Sequence, residues 1–369
     1  MASASPCYCY SLIIITQLLL ICVAQEKICP FEYVYQFGDS ISDTGNIIRI
    51  GPAGAFAAAR LPYGETFFHR PTGRWSDGLL IIDFFAVALQ LPLLNPYLDR
   101  NASFDHGANF AVAGSTALDT SFLVARGIQP LPINIPLSAQ LNWFRTLLAS
   151  TCPTPAECRI RLRRALIFMG EIGGDDFNYA FTQGKSIQQL QDLVPDVVGA
   201  IIDAVREVIR LGAIRIIVPG NFPVGCFPFA LTALANADPR AYDDLGCLRS
   251  LNDFAVFQNN YLQGALASLR QEFPQAVILY ADYYSSFQSV LRRASTLGFE
   301  AQTLLKSCCG IGGPYNFDIN RLCGSKGVPL CPNPNRYIFW DGLHLTQEAY
   351  HRISEILIAD ILSRIQCIW

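Results

Sequence analysis

The stretch FGDSISDTGN, residues 37–46, comes directly after the short run YVYQ at residues 33–36. Such a run of β-branched, aromatic and amide side chains with almost no charge is typical of a strand buried on both faces of a parallel sheet. The glycine at position 38 ends this strand and leaves Ser40 at its carboxyl end. Because ligands of open parallel sheets bind at the carboxyl ends of the strands, Ser40 is a candidate for chemistry.

Further apolar runs of the same kind lie at 165–169, 215–218 and 276–280. Between and after them, apolar residues recur at helical spacing over 197–209, 251–273 and 347–362, with Gly212 as a stop and Thr346 as an N-cap. Strands that alternate with helices predict an α/β fold, a three-layer α/β/α sandwich with a mainly parallel central sheet of the flavodoxin-like kind. We find no internal repeat and no linker, so we expect a single domain over residues 25–369.

Composition excludes several classes of protein. Of the 369 residues, 51% are hydrophobic and 15% charged, which does not fit an intrinsically disordered chain. The net charge of -3 and the scattered basic residues give no reason to expect a nucleic-acid partner.

The N-terminus predicts an export route. Residues 11–24 form an apolar run that ends at the small residue Ala24, which indicates a signal peptide over residues 1–24. We therefore expect a secreted, extracellular protein, with the vacuole as an alternative destination and no stable membrane insertion. Asn101, in the tripeptide Asn-Ala-Ser, is a candidate glycosylation site.

The cysteines agree with that route. Three of the 13 lie in the predicted signal peptide, and the remaining ten are an even number, which favours disulfides in an oxidising compartment. Proximity favours Cys152–Cys158 and Cys323–Cys331, although the sequence leaves the connectivity open. The spacing of cysteines and histidines does not fit a zinc site, and we expect no metal.

A base for the Ser40 hydroxyl is found among only four histidines. His344 lies in a loop just before the last predicted helix, and Asp341 precedes it by three residues. A serine hydroxyl becomes a nucleophile when an adjacent imidazole accepts its proton, and a carboxylate orients that imidazole. Ser40, Asp341 and His344 are therefore the predicted catalytic residues.

Several stretches, read together, carry a resemblance. FGDSISDTGN (37–46), NFAVAG (109–114), GGDD (173–176) and DGLH (341–344) resemble, in this order, the sequence blocks of the GDSL (SGNH) hydrolase family. PYGETF (62–67), PTGRWSDG (71–78) and CCGIGGPYN (308–316) are similar to its large plant branch. The resemblance spans the whole chain after the predicted signal peptide.

The resemblance implies Ser40 as nucleophile, His344 as base, Asp341 as its orienting partner and no cofactor. It also implies an oxyanion hole built from the backbone N–H groups of Ser40 and Gly114 and an Asn side chain in the third block. This sequence has Asp175 in place of that Asn. An ionised carboxylate has no N–H to donate, so Asp175 is either protonated, or tolerated with a reduced rate, or a sign that hydrolysis is lost.

The expected function is that of a secreted serine esterase that cleaves carboxylic esters of small molecules through an acyl-enzyme. Stretches at 91–98, 138–146 and 275–284 are similar to a plant esterase that deacetylates an indole alkaloid, which favours an acetylated specialised metabolite. The alternatives are an acyltransferase on the same scaffold and, because of Asp175, a catalytically weakened binding protein. The oligomeric state stays open.

Overall fold

The computed structural model describes residues 31–365, in which five strands alternate with helices. The strands are β1 (Tyr33–Phe37), β2 (Gly107–Asn109), β3 (Ala165–Met169), β4 (Arg215–Pro219) and β5 (Val277–Ala281). The helices are α1 (Ile81–Ala88), α2 (Thr120–Ala125), α3 (Leu137–Thr151), α4 (Pro155–Arg163), α5 (Gly174–Thr182), α6 (Ile187–Leu211), α7 (Pro228–Ala233), α8 (Arg249–Glu272), α9 (Tyr283–Arg292) and α10 (Gln347–Arg364).

The strands form one sheet in the order β2-β1-β3-β4-β5, and every neighbouring pair is parallel. This order is that of flavodoxin-like folds, in which the chain leaves the first strand in one direction and later crosses to the other side. The predicted fold class is therefore confirmed.

Alternate residues of the strands enter two separate hydrophobic cores, which makes the molecule three layers thick. Tyr35, Phe37 and Ile167 pack into a core shared with α3, α6 and α8. Val34 and Phe168 face the opposite side, where the core is shared with α1, α9 and α10. A sheet covered on both faces explains why its strands are continuously apolar in the sequence.

The predicted β1, β3, β4, β5, α8 and α10 agree with the structure to within two residues at each end. The helices α1 to α5, α7 and α9, the strand β2 and the first part of α6 were not predicted. β2 has only three residues, none of them β-branched, so no strand pattern marks it in the sequence. α6 begins well before the predicted helix, where the Ser186 hydroxyl accepts a hydrogen bond from the Gln189 N–H as an N-cap. The predicted cap of α10 is present, since the Thr346 hydroxyl accepts from the Ala349 N–H.

Part of the predicted organisation falls outside residues 31–365. The signal peptide over residues 1–24, with the three cysteines within it, lies there, as do Cys29 and Cys367. Within residues 31–365, no helix combines the length and the hydropathy that a bilayer-spanning segment requires. The division into a signal peptide and a single domain stays a prediction.

The disulfides confirm one predicted bridge and correct the other. Cys152 is bonded to Cys158 as expected, and a further bridge joins Cys226 to Cys247. The predicted Cys323–Cys331 bridge is wrong, because Cys309 is bonded to Cys323 and Cys308 to Cys331. Short separation in sequence suggested the wrong pair, whereas the chain folds back so that two adjacent cysteines each take a partner.

These two adjacent bridges are tied to the segment that precedes Asp341. The Cys308 N–H donates to the Phe339 carbonyl at 2.9 Å, and the Cys309 N–H donates to the Trp340 carbonyl at 2.7 Å. Cys308, Cys309 and Cys323 also pack with Trp340 in a small buried cluster.

The turn that follows β1 has no room for a side chain at its first residue. Gly38 has φ +146°, and a Cβ built there would lie 2.6 Å from the Glu171 carbonyl oxygen. Beyond Gly38, the Asp39 N–H donates to the same carbonyl at 2.9 Å. The turns after β1 and β3 are therefore in direct backbone contact.

We predict that Gly38→Ala lowers the free energy of unfolding by roughly 2–4 kcal/mol, because backbone must move to admit the methyl group. Chemical denaturation measures this change. The matched control is Gly264→Ala on α8, where no atom lies within 4 Å of the added Cβ. That variant should be as stable as the wild type or more stable by up to about 1 kcal/mol. Equal denaturation midpoints for Gly38→Ala and the wild type would contradict the assigned clash.

Candidate active site

The carboxyl edge of the sheet brings together segments that are far apart in the chain. Ser40 lies just past β1, Asp175 lies in the first turn of α5 after β3, and His344 lies in the loop before α10. All three line one cavity. This is the edge at which the strand pattern predicted a site.

Ser40, His344 and Asp341 form one hydrogen-bonded chain. Nε2 of His344 lies 2.8 Å from Oγ of Ser40, a residue 304 positions away. Nδ1 of His344 lies 2.8 Å from Oδ2 of Asp341. His344 and Asp341 are each 5% exposed, so the pair is largely shielded from water. Chemically, this arrangement lets the imidazole accept the serine proton while the carboxylate fixes its tautomer.

The Asp341 carboxylate is stabilised by several donors. Its Oδ1 accepts from the N–H groups of Leu343 and His344 at 3.0 and 2.8 Å, and its Oδ2 accepts from the Tyr63 hydroxyl at 2.7 Å. Burial by itself would raise the pKa of Asp341, but attraction to His344 and these hydrogen bonds outweigh it and hold the pKa below its ordinary value. Asp341 is therefore ionised at neutral pH.

Tyr63 is a residue of the site that the sequence did not identify. It is 1% exposed, and burial together with the Asp341 charge raises its pKa well above the ordinary value, so the hydroxyl stays protonated and donates. Its ring makes edge-on contacts with Trp75 and Trp340, and the Trp75 ring lies 5.0 Å from the His344 ring. The stretch PYGETF was noted for its similarity to the plant branch of the family, but no pattern near Tyr63 in the sequence predicts its contact with Asp341.

The loop that carries Ser40 has little regular structure and is held by side-chain hydrogen bonds. The Asp43 carboxylate accepts from four backbone N–H groups at 2.6–3.0 Å, those of Gly45, Asn46, Ile47 and Ala113. Burial raises the pKa of Asp43 to about 6 even though these four bonds oppose the shift. Asp43 therefore joins the first sequence block to the second.

Two amide side chains continue this network. Asn46 Nδ2 donates to the carbonyls of Asn109 and Ala111 at 2.8 and 2.9 Å. The side chain of Gln140 accepts from the Gly38 N–H at 2.9 Å and donates to the Gly38 carbonyl at 2.8 Å. The backbone on each side of Ser40 is thus fixed by fully buried polar groups.

The residues predicted for an oxyanion hole have different positions. Ser40 and Asp175 line the cavity, whereas Gly114 does not, and the Gly114 carbonyl accepts from the Tyr179 hydroxyl at 2.8 Å. Among residues 31–365, no protein group accepts a hydrogen bond from the N–H of Ser40 or of Gly114. The Ser40 N–H belongs to a residue of the cavity wall, whereas the part of Gly114 in an oxyanion hole stays a prediction.

Asp175 is the residue in which this site departs from the pattern that its sequence resembles. Its Oδ1 accepts from Asn178 Nδ2 at 3.2 Å. Burial raises the pKa of Asp175 to about 6, opposed by that hydrogen bond and by attraction to His344. Its neighbour Asp176 faces elsewhere, accepting from the N–H groups of Ala117 and Leu118 at 2.8 and 3.0 Å.

The cavity beside Ser40 has a volume of about 80 Å³. Sites that enclose a whole drug-sized ligand are several times larger, typically about 300–1,000 Å³.

Within residues 31–365, no group of three or more His, Cys, Asp or Glu side chains is arranged to hold a metal ion. Asn101 lies in a turn and is exposed, which leaves its predicted glycosylation sterically open.

Comparison with known proteins decides the family. The sequence model of the GDSL-like Lipase/Acylhydrolase family matches residues 34–357. The chain belongs to this family. An acetylajmalan esterase from Rauvolfia serpentina is 56% identical over 346 residues, covering 94% of this chain and 89% of that protein. A second protein from that plant, acetylajmalan esterase 2, is 57% identical over 92% of this chain and 93% of its own length.

More distant relatives agree. A GDSL esterase/lipase from Arabidopsis thaliana is 45% identical over 94% of this chain and 86% of its own length. Because these GDSL relatives are esterases, this GDSL protein is a carboxylic ester hydrolase, and the predicted plant branch of the family is confirmed. The individual roles of its site residues stay predictions.

We predict that Tyr63→Phe lowers kcat by roughly tenfold to a hundredfold with little change in KM. A hydrogen bond to a charged group contributes roughly 1.5–3 kcal/mol, and Tyr63 contacts Asp341 rather than the cavity. Steady-state kinetics on a simple ester measures this split. Tyr97→Phe, which changes a partly buried ring outside the Asp341 contacts, is the matched control. An unchanged kcat with only reduced thermal stability would mean that Tyr63 is a packing residue.

We predict that Asp175→Asn raises kcat for an uncharged ester, because an amide N–H donor replaces a carboxylate. One oxyanion donor changes the rate by roughly 10²–10³-fold. Below about pH 6 the Asp175 carboxyl is protonated and has an O–H to donate, and above it the group is ionised and has none. The rate ratio of Asp175→Asn to wild type should therefore grow from pH 5 to pH 8.

The control for this prediction is Asp253→Asn, which removes an exposed carboxylate of α8. Its rate ratio to wild type should stay near one at every pH. A ratio for Asp175→Asn that neither exceeds one nor changes with pH would show that Asp175 does not face the developing oxyanion.

Proposed function

We propose that this GDSL hydrolase is a secreted serine esterase that removes a small acyl group, such as acetyl, from a bulky specialised metabolite of the alkaloid class. The single observation that carries the chemistry is the 2.8 Å contact between Ser40 Oγ and His344 Nε2. The buried Asp341 on the other ring nitrogen supports the same assignment.

The proposed mechanism is acyl transfer in two steps. Ser40 Oγ attacks the ester carbonyl while His344 takes its proton, and the oxyanion accepts hydrogen bonds from backbone N–H groups, with Ser40 and Gly114 as the candidates. Collapse of this intermediate breaks the bond to the alcohol, which leaves with the proton from His344. Water, deprotonated by His344, then attacks the acyl-serine and releases the acid.

Two observations support a small acyl group on a large alcohol. The cavity of about 80 Å³ has room for a short acyl chain and a small part of the alcohol, and the rest of a bulky substrate would stay outside it. The Rauvolfia relatives are named for esters of an alkaloid, and they cover more than nine tenths of this chain. Secretion is supported by the four disulfides within residues 31–365, which are typical of proteins folded in an oxidising compartment.

The test has a labelling arm and a chain-length arm. A fluorophosphonate probe should label the wild type at Ser40 and should not label Ser40→Ala, and hydrolysis by that variant should fall by roughly 10⁴-fold or more. Among p-nitrophenyl esters, kcat/KM should be highest for acetate and fall toward octanoate. If the probe does not label the wild type, the assignment of Ser40 as nucleophile is wrong. If octanoate is preferred over acetate, the proposal of a short acyl group is wrong. Addition of a competing alcohol separates hydrolysis from transfer, because an acyltransferase would form the new ester.

A further inference from the structure

The cavity beside Ser40 is unusually acidic. Three carboxyl groups line it, those of Asp39, Glu171 and Asp175, and among the described residues no Lys or Arg lines it. His344 is the one basic side chain on its wall. Like charges this close together destabilise one another unless protons or a cation compensate them.

One of these carboxyl groups lacks a hydrogen-bond partner for one of its oxygens. Glu171 is 6% exposed, and its Oε2 is buried without a partner. Oδ1 of Asp39 accepts a hydrogen bond from the Ile41 N–H at 3.0 Å. Within residues 31–365, the Asp175 carboxyl accepts a hydrogen bond only from the Asn178 side chain. A buried carboxyl oxygen left unpaired is costly, so the wall of this cavity favours a ligand that donates a hydrogen bond or brings positive charge.

The pKa values of these carboxyl groups reflect their crowding in a buried place. Burial, followed by repulsion from Asp175, raises the pKa of Asp39 and of Glu171 well above their ordinary values. A cation in the cavity would reverse that repulsion and favour the ionised carboxylates.

The rest of the wall is aromatic. The rings of Phe177, Phe222, Phe227, Phe229 and Phe254 line the same cavity. Aromatic faces attract organic cations and accept the alkyl groups that surround a protonated amine nitrogen. Such a wall favours an organic cation over a strongly hydrated metal ion or an anion.

We propose that this cavity binds the protonated amine of an amine-bearing ester, with Asp175, Asp39 and Glu171 as the carboxyl groups that select it. This inference rests on the proposed function, because it concerns substrates of Ser40. It also assigns a role to Asp175: the bound ammonium group neutralises the charge that would repel the oxyanion. Asp175 is then a specificity-determining residue that favours cationic over neutral esters.

The experiment compares two acetate esters of nearly equal shape. 2-(Dimethylamino)ethyl acetate carries a protonated amine at pH 7, and 3-methylbutyl acetate has a CH group in place of that nitrogen. For the wild type, kcat/KM should be at least about tenfold higher for the amine ester, since a charged hydrogen bond contributes a factor of roughly 10–100. Asp175→Asn should lower kcat/KM for the amine ester and raise it for the neutral one. Glu171→Gln should lower the ratio of the two, whereas the exposed control Asp253→Asn should keep the wild-type ratio.

Fluorophosphonate labelling of each variant reports the folded, competent fraction and corrects its rate. Equal kcat/KM values for the two esters in the wild type would overturn the proposal. An equal gain in kcat/KM for both esters in Asp175→Asn would also overturn it. Asp175 would then affect the reaction only because it lacks the N–H donor of an Asn.

A binding measurement separates this proposal from the proposed function. In Ser40→Ala, which cannot form the acyl-enzyme, calorimetry should detect tighter binding of the amine ester than of the neutral ester. Selective binding without hydrolysis by the wild type would uphold the amine site and overturn the esterase mechanism. Labelling and hydrolysis without selective binding would do the reverse.

Discussion

The pairing of β1 with β3 is the constraint on which the site depends. The two strands run parallel in register from Tyr33 opposite Ala165 to Phe37 opposite Met169, and the contact continues past both strands through the Asp39–Glu171 hydrogen bond. Ser40 and Asp175 follow directly on these paired ends. A shift of register by one residue would exchange the two faces of β1 and carry Ser40 away from His344. The hydrophobic core on each face of the sheet therefore also fixes the positions of the reacting groups.

The nucleophile loop shows how irregular backbone can be held firmly. Asp43, Asn46 and Gln140 are buried, and each satisfies backbone groups of segments that are distant in sequence. Buried polar networks of this kind are stable only when their members find partners, so small displacements of the loop cost several hydrogen bonds together. Groups that must act on a developing charge benefit from being fixed before the reaction begins. Asp341 is held in the same manner by Tyr63 and two backbone N–H groups.

The sequence was sufficient for β1, β3, β4 and β5, for the layered fold and for Ser40, Asp341 and His344 as candidates, because each leaves a local pattern of apolar periodicity or motif spacing. It was insufficient where the decisive contact is long-range. Tyr63 touches Asp341 from the other end of the chain, β2 is too short to leave a pattern, and Cys323 pairs with Cys309 rather than with its nearer neighbour Cys331. The acidic wall of the cavity was not predicted either, because Asp39, Glu171 and Asp175 come from two separate turns and are close to one another only in the folded protein.

The adjacent bridges at Cys308 and Cys309 have a consequence for how this protein responds to reduction. Each bonded cysteine also donates its N–H to the backbone just before Asp341, so the sulfur links support the loop that carries the imidazole rather than the sheet. Reduction would release this loop, and with it Asp341 and His344, from covalent support. Ester cleavage is therefore expected to depend on the redox state of the surroundings as well as on the fold of the sheet.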